Sequence, residues 1–145
     1  MELNDYLNYY NIELTANSGI EIARHKGPVY THPGIIMGRD KHTGRERVFH
    51  NHRDHGGTAI VDMAVYENGY RSYPTGRPSD GEYAVLMRCF QQLENKRSYG
   101  LVTYNCQDAT KYAREGKLGS HAVANTLGTI AVVGILAALF GGNKD

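Results

Sequence analysis

The residues best equipped for chemistry are Cys106, His32 and His50. Cys106 closes a short apolar run from Leu101 through Asn105 and opens a helix-forming segment that ends at Gly116. At a helix start, unpaired backbone N–H groups and the positive end of the dipole favour the thiolate over the thiol. The thiolate is the nucleophile, and the same amides can receive the oxyanion that forms on an attacked acyl carbon. Such a thiol needs a base within hydrogen-bond reach and a third group that holds the base in the right tautomer. His32 and His50 fall on two strands expected to pair, so His32 is the expected base and His50 the group behind it. The plainer alternatives are a cysteine that packs a strand–helix corner and histidines with solvated or structural roles.

The elements that must position these residues follow from pattern. Residues 1–18 read as a loosely packed leader or a short helix, because Leu3, Leu7 and Leu14 are irregularly spaced. Organisation starts at Gly19: Ile20 and Ile22 alternate with Glu21 and Ala23 as a strand, broken at His25 to Pro28. Val29 to His32 leads into an apolar run ending at Gly38, and Arg39 to Glu46 reads as a turn returning through Arg47 to His50. Asn51 to Gly57 is an expected His-rich loop, Thr58 to Tyr66 a further strand, and Asn68-Gly69 a hairpin turn into Tyr70 to Tyr73. Pro74, Gly76 and Pro78 mark an exposed loop. Ser79 and Glu82 have the spacing of a capping box, before a helix whose Val85, Leu86, Cys89, Phe90 and Leu93 share one face. Cys89 is therefore expected in the core.

The 145 residues suffice for one domain, and a formal net charge of +1 gives no electrostatic reason to expect nucleic-acid binding as the main activity. With only two cysteines and no basic, apolar leader after Met1, a reducing intracellular setting is expected. The tail, residues 118–145, differs in kind: Leu118 to Asn143 carries no formal charge, and Ala122 to Phe140 is nearly all apolar. About 20 such residues cross a bilayer, so a C-terminal membrane anchor flanked by Lys117 and Lys144 is expected. A helix docked on the core is the alternative, and the Gly and Ala content also suits self-association through the tail.

Two motifs carry a family resemblance. His32-Pro33-Gly34-Ile35-Ile36-Met37-Gly38 resembles the H-box of the lecithin:retinol acyltransferase-like proteins, and Asn105-Cys106 resembles their NC motif. This H-box/NC group includes small phospholipase/acyltransferases and the H-box/NC 2A proteins of some picornaviruses. The resemblance spans residues 19–117 and implies an α+β fold with a small antiparallel sheet, a circularly permuted papain-like domain of the NlpC/LRAT type. It implies Cys106 as the nucleophile of a thioester acyl-enzyme, His32 as general base and His50 as its orienting partner. Tyr30 and Asn105 would lie near the oxyanion. No cofactor is implied. A phospholipid or other acyl ester is the expected substrate, on the cytoplasmic face of a membrane held by the tail, in a host cell if the chain is viral. Two departures stand out: Pro33 replaces an aromatic residue, and Gln107-Asp108-Ala109 replaces Glu-His-Phe after the cysteine. The alternative implied by the viral members is a catalytically inert protein that binds host proteins or RNA.

One further pattern competes. His50-Asn51-His52-Arg53-Asp54-His55 fits the His-x-His-x-Asp-His run of dinuclear zinc hydrolases, which would recruit His50, His52, Asp54 and His55 as ligands. That fold needs further ligands downstream, and beyond residue 55 the only histidine is His121. A polar, solvated loop is the preferred account of His52, Asp54 and His55, with no metal expected.

Overall fold

The structure, a computed structural model, describes residues 1–25, 30–95 and 106–116, with residues 106–108 described by their backbone alone. The chain is α+β, with helices flanking a six-stranded antiparallel sheet. Helix α1 (Leu3–Tyr9) and the short strand β1 (Ile12–Glu13) precede β2 (Glu21–His25), β3 (Thr31–Asp40) and β4 (Glu46–His52). A 3-10 turn (Arg53–His55) leads to β5 (Gly57–Asp62), α2 (Met63–Glu67) and β6 (Ser72–Gly76), followed by α3 (Glu82–Glu94) and α4 (Cys106–Glu115). The strand order is β5-β4-β3-β2-β6, with β1 pairing the far end of β3. The expected anchor, residues 118–145, and Asn105 lie outside the described residues. Among those described, no helix is long and apolar enough to cross a membrane.

Alternation along the strands sends side chains to two separate cores. On one face, Ile35, Met37 and Phe49 meet Val85, Leu86, Cys89 and Phe90 of α3, Ala109 and Ala113 of α4, and Leu3, Tyr6 and Leu7 of α1. The amino-terminal segment is thus packed rather than loose, its Tyr6 ring stacked on Phe90 at 5.0 Å. Cys89 is fully buried as expected, and burial pushes its thiol well above the usual range. On the other face, Ile20, Ile22, Ile36 and Val48 pack around the buried Tyr66 of α2.

Several local expectations change. Thr58 to Tyr66 is not one strand: the chain leaves the sheet at Asp62, where Asp62 stands at the N-cap of α2. Asn68 does not turn a hairpin but ends α2 in the left-handed conformation, φ 47°. Residues 72–76, expected partly as a hairpin partner and partly as a loop, form β6, which pairs with β2 as an exposed edge where Pro74 is tolerated. The Ser79–Glu82 capping box does not form, because Gly81, at φ 92°, is the N-cap of α3. By contrast α4 starts at Cys106 and closes at Gly116, φ 73°, as its sequence specifies.

The sheet also forks. The N–H and C=O of Ile36 bond toward Ile20 and Gly19 on the β2 side, so by alternation those of Ile35 and Pro33 face β4. Pro33 has no N–H to give. The β3–β4 ladder accordingly stops at the Ile35–Phe49 pair, while β2–β3 continues to His25–Thr31 and β4–β5 to His52–Gly57.

Candidate active site

The two strands carry His32 and His50 into the mouth of this fork. Their rings meet edge-on, with His32 Nε2 2.9 Å from His50 Nδ1, and both side chains are buried. A side-chain contact thus bridges β3 and β4 where the backbone ladder has ended. Below the rings lies Tyr66, whose hydroxyl donates to the His32 carbonyl at 2.6 Å and whose ring stacks on the His32 imidazole at 5.5 Å between centroids. The tyrosine fits because position 34 is glycine: a Cβ there would stand 2.8 Å from Tyr66 Cε1. Arg24 on β2 fixes the end of α2 by donating from Nε to the Tyr66 carbonyl at 2.7 Å.

A third imidazole completes a chain. The 3-10 turn returns His55 so that its Nδ1 lies 3.1 Å from His50 Nε2. The turn is held by His52, whose Nδ1 accepts the Asp54 N–H at 3.1 Å, and by left-handed Gly56, φ 70°. His50, His52, Asp54 and His55 line a cavity of about 140 Å³ with Arg24, Val65 and Asn68. Burial, then the neighbouring His55, His52 and Arg24, push the His50 pKa down to about 3, so His50 is neutral at physiological pH. With both of its nitrogens turned to other imidazoles, His50 has no lone pair directed at a metal. Among the described residues, no group of three or more His, Cys, Asp or Glu is placed to hold one.

The expected site residues are therefore brought together in part. His32 and His50 are paired. Tyr30, just before β3, is half exposed. Cys106 is the first residue of α4, and its side chain is not described. The body of α4 packs on the face opposite the imidazoles, since Ala109 and Ala113 belong to the Ile35 and Phe49 core whereas His32, Gly34 and Ile36 alternate to the Tyr66 side. Helix α4 crosses both β3 and β4, the two strands that part at the fork. Sequence reasoning missed His55, Tyr66 and Arg24 as neighbours of the pair. Pattern places Tyr66 on a strand rather than on α2, and His55 lies five residues from His50 with no strand or helix period linking them.

No family model, curated protein or solved structure matches the chain. The H-box/NC resemblance rests on its two motifs.

Proposed function

We propose that the chain is a thiol-dependent acyltransferase or phospholipase A-type hydrolase that works through a Cys106 acyl-enzyme on lipid esters. The observation that carries this reading is the buried 2.9 Å contact between His32 Nε2 and His50 Nδ1 at a fork crossed by the helix that Cys106 begins. With Nε2 of His32 engaged by His50, Nδ1 is the nitrogen that takes the thiol proton. The thiolate adds to the ester carbonyl, helix-start amides receive the oxyanion, and protonated His32 returns the proton to the departing alcohol; water or another acceptor then takes the acyl group. A groove of about 560 Å³ on the imidazole face, floored by Ile20, Ile22, Ile36 and Met63, offers apolar walls for an acyl chain. The tail would hold the site against a membrane surface.

A second reading, a catalytically inert H-box/NC protein acting by binding proteins or RNA, is favoured by one observation: α4 and the imidazoles sit on opposite faces, with His32 wholly buried. Alkylation kinetics separate the two. Cys89 is buried with a raised thiol pKa, so labelling of the folded chain reports Cys106. The acyl-enzyme reading expects rapid alkylation well below the ordinary thiol pKa of about 8.5, lost in His32→Ala. Ordinary titration in both proteins sinks it and leaves the binding reading in front.

A further inference from the structure

The proton inventory of the His55–His50–His32 chain is constrained by its geometry. Each of the two contacts, 3.1 Å and 2.9 Å between ring nitrogens, needs one N–H and one lone pair. We propose that His55 is a positioning residue that, acting through His50, decides which nitrogen of His32 carries the proton.

Two arrangements satisfy the chain. In the first, His32 donates from Nε2 to His50 Nδ1, and His50 donates from Nε2 to His55 Nδ1. This leaves the lone pair of His32 on Nδ1, the nitrogen that a base would use. In the second, every proton sits on the opposite nitrogen: His55 donates from Nδ1, His50 from Nδ1, and His32 holds its proton on Nδ1. A neutral His55 permits either, and the first, built wholly from the Nε2–H tautomer that a neutral histidine side chain prefers in water, is the favoured one. A protonated His55 has N–H on both nitrogens and cannot accept, so it permits only the second. His50 transmits the choice because it stays neutral, with a single N–H, down to a pKa of about 3.

The exposure gradient suits this role. His32 and His50 are buried, whereas His55 is exposed on its turn, so the chain runs from the surface to the buried base. The other charged or titratable groups facing the chain among the described residues are His52 on β4, Asp54 in the turn, Arg24 on β2 and Tyr66 on α2. None of these stands between His55 and His50. The functional consequence rests on the reading of His32 as a base: acid would place a proton on the nitrogen that must receive one from the thiol. The wiring itself does not depend on Cys106.

Long-range proton–nitrogen correlation spectra of the full chain with 15N-labelled histidine read the tautomers directly. At about pH 8, His32 and His50 are expected as Nε2–H tautomers, and at about pH 5, across the histidine range, both are expected as neutral Nδ1–H tautomers. In His55→Ala the exchange should be lost. In His55→Glu, whose ionised carboxylate only accepts, both rings should hold Nε2–H at about pH 8. Unchanged tautomers in the wild-type chain between the two pH values, or His55→Ala titrating as wild type does, would overturn the proposal. The wild-type comparison needs no substitution, and the imidazole signals are read whether or not the thiol reacts, so a failure here is distinct from an inert Cys106.

Discussion

At the scale of single residues, the site depends on one missing methyl group and one uncharged ring. A Cβ at position 34 would lie 2.8 Å from Tyr66 Cε1, 2.9 Å from Val48 Cγ1 and 3.2 Å from the Phe49 carbonyl oxygen. All three neighbours are buried, so the methyl cannot be absorbed by a flexible surface group. Gly34→Ala should therefore destabilise by about 1–3 kcal/mol, seen as a lower denaturant midpoint at unchanged slope. His50 sets the pH response. Its folded pKa, about 3, lies below the ordinary value of about 6.5, so the unfolded chain binds the proton first. Its contribution is complete above about pH 6.5 and is lost as pH falls toward 3. Between about pH 6 and 5, below the ordinary histidine pKa and above most carboxylate titration, this group should lower the unfolding free energy by about 1–1.4 kcal/mol per pH unit. His50→Gln should flatten that slope. Both histidines were legible from residue type and their place on paired strands. His55 was not, because a turn that closes on a ring nitrogen leaves no periodic trace in sequence.

Among the elements, legibility follows how local the determining forces are. The β3–β4 hairpin, the apolar face of α3 and both ends of α4 are fixed by residues within or beside each segment, and each formed where its pattern indicated. The misread stretch, residues 63–76, is decided at a distance. Tyr66 leaves the strand period to fill the space over Gly34, and β6 pairs with β2, some fifty residues earlier. Asn68 suited two turns equally well, since its tolerance of left-handed backbone serves a helix end and a hairpin alike. Helix α4 shows how one element is secured by another. Arg88 of α3 donates from Nε to the Ala113 carbonyl at 2.8 Å and from an Nη to the Arg114 carbonyl at 3.2 Å. It thereby satisfies acceptors that a helix end leaves open, while its other partner, Asp80, is an exposed carboxylate at 2.9 Å. Hydrogen bonds from a charged donor at a largely buried position outweigh a surface ion pair. Arg88→Met should cost about 1–3 kcal/mol of global stability, and Asp80→Asn less than about 1 kcal/mol, both measurable by chemical unfolding.

For the molecule as a whole, the question is where the folding unit begins. Pattern places the start of organisation at Gly19 and leaves residues 1–18 as a loosely packed leader or a short helix; the short helix forms, and the sheet and its larger core both draw on this segment. Ile12 and Glu13 pair with Asp40 and Arg39 at the end of β3, and Leu3, Tyr6, Leu7 and Ile12 are each less than a tenth exposed. The Tyr6 hydroxyl also donates to Glu94 at 2.6 Å, tying the first helix to the end of α3. Burial of one such side chain contributes about 1.5–3 kcal/mol, so the four together contribute about 6–12 kcal/mol. That rivals the whole stability of a domain this size, about 5–15 kcal/mol. Removing residues 1–18 would also bare the Phe90 ring, on which Tyr6 and Tyr10 stack, to water. A chain starting at Gly19 is therefore expected to lose cooperative unfolding and amide chemical-shift dispersion, whereas the full chain keeps both. If the shortened chain instead unfolds in a single transition within about 2 kcal/mol of the full one, the first helix is an appendage and β3 closes the core without it. The same comparison bears on the site, because the strand that carries His32 is the one whose far end β1 pairs.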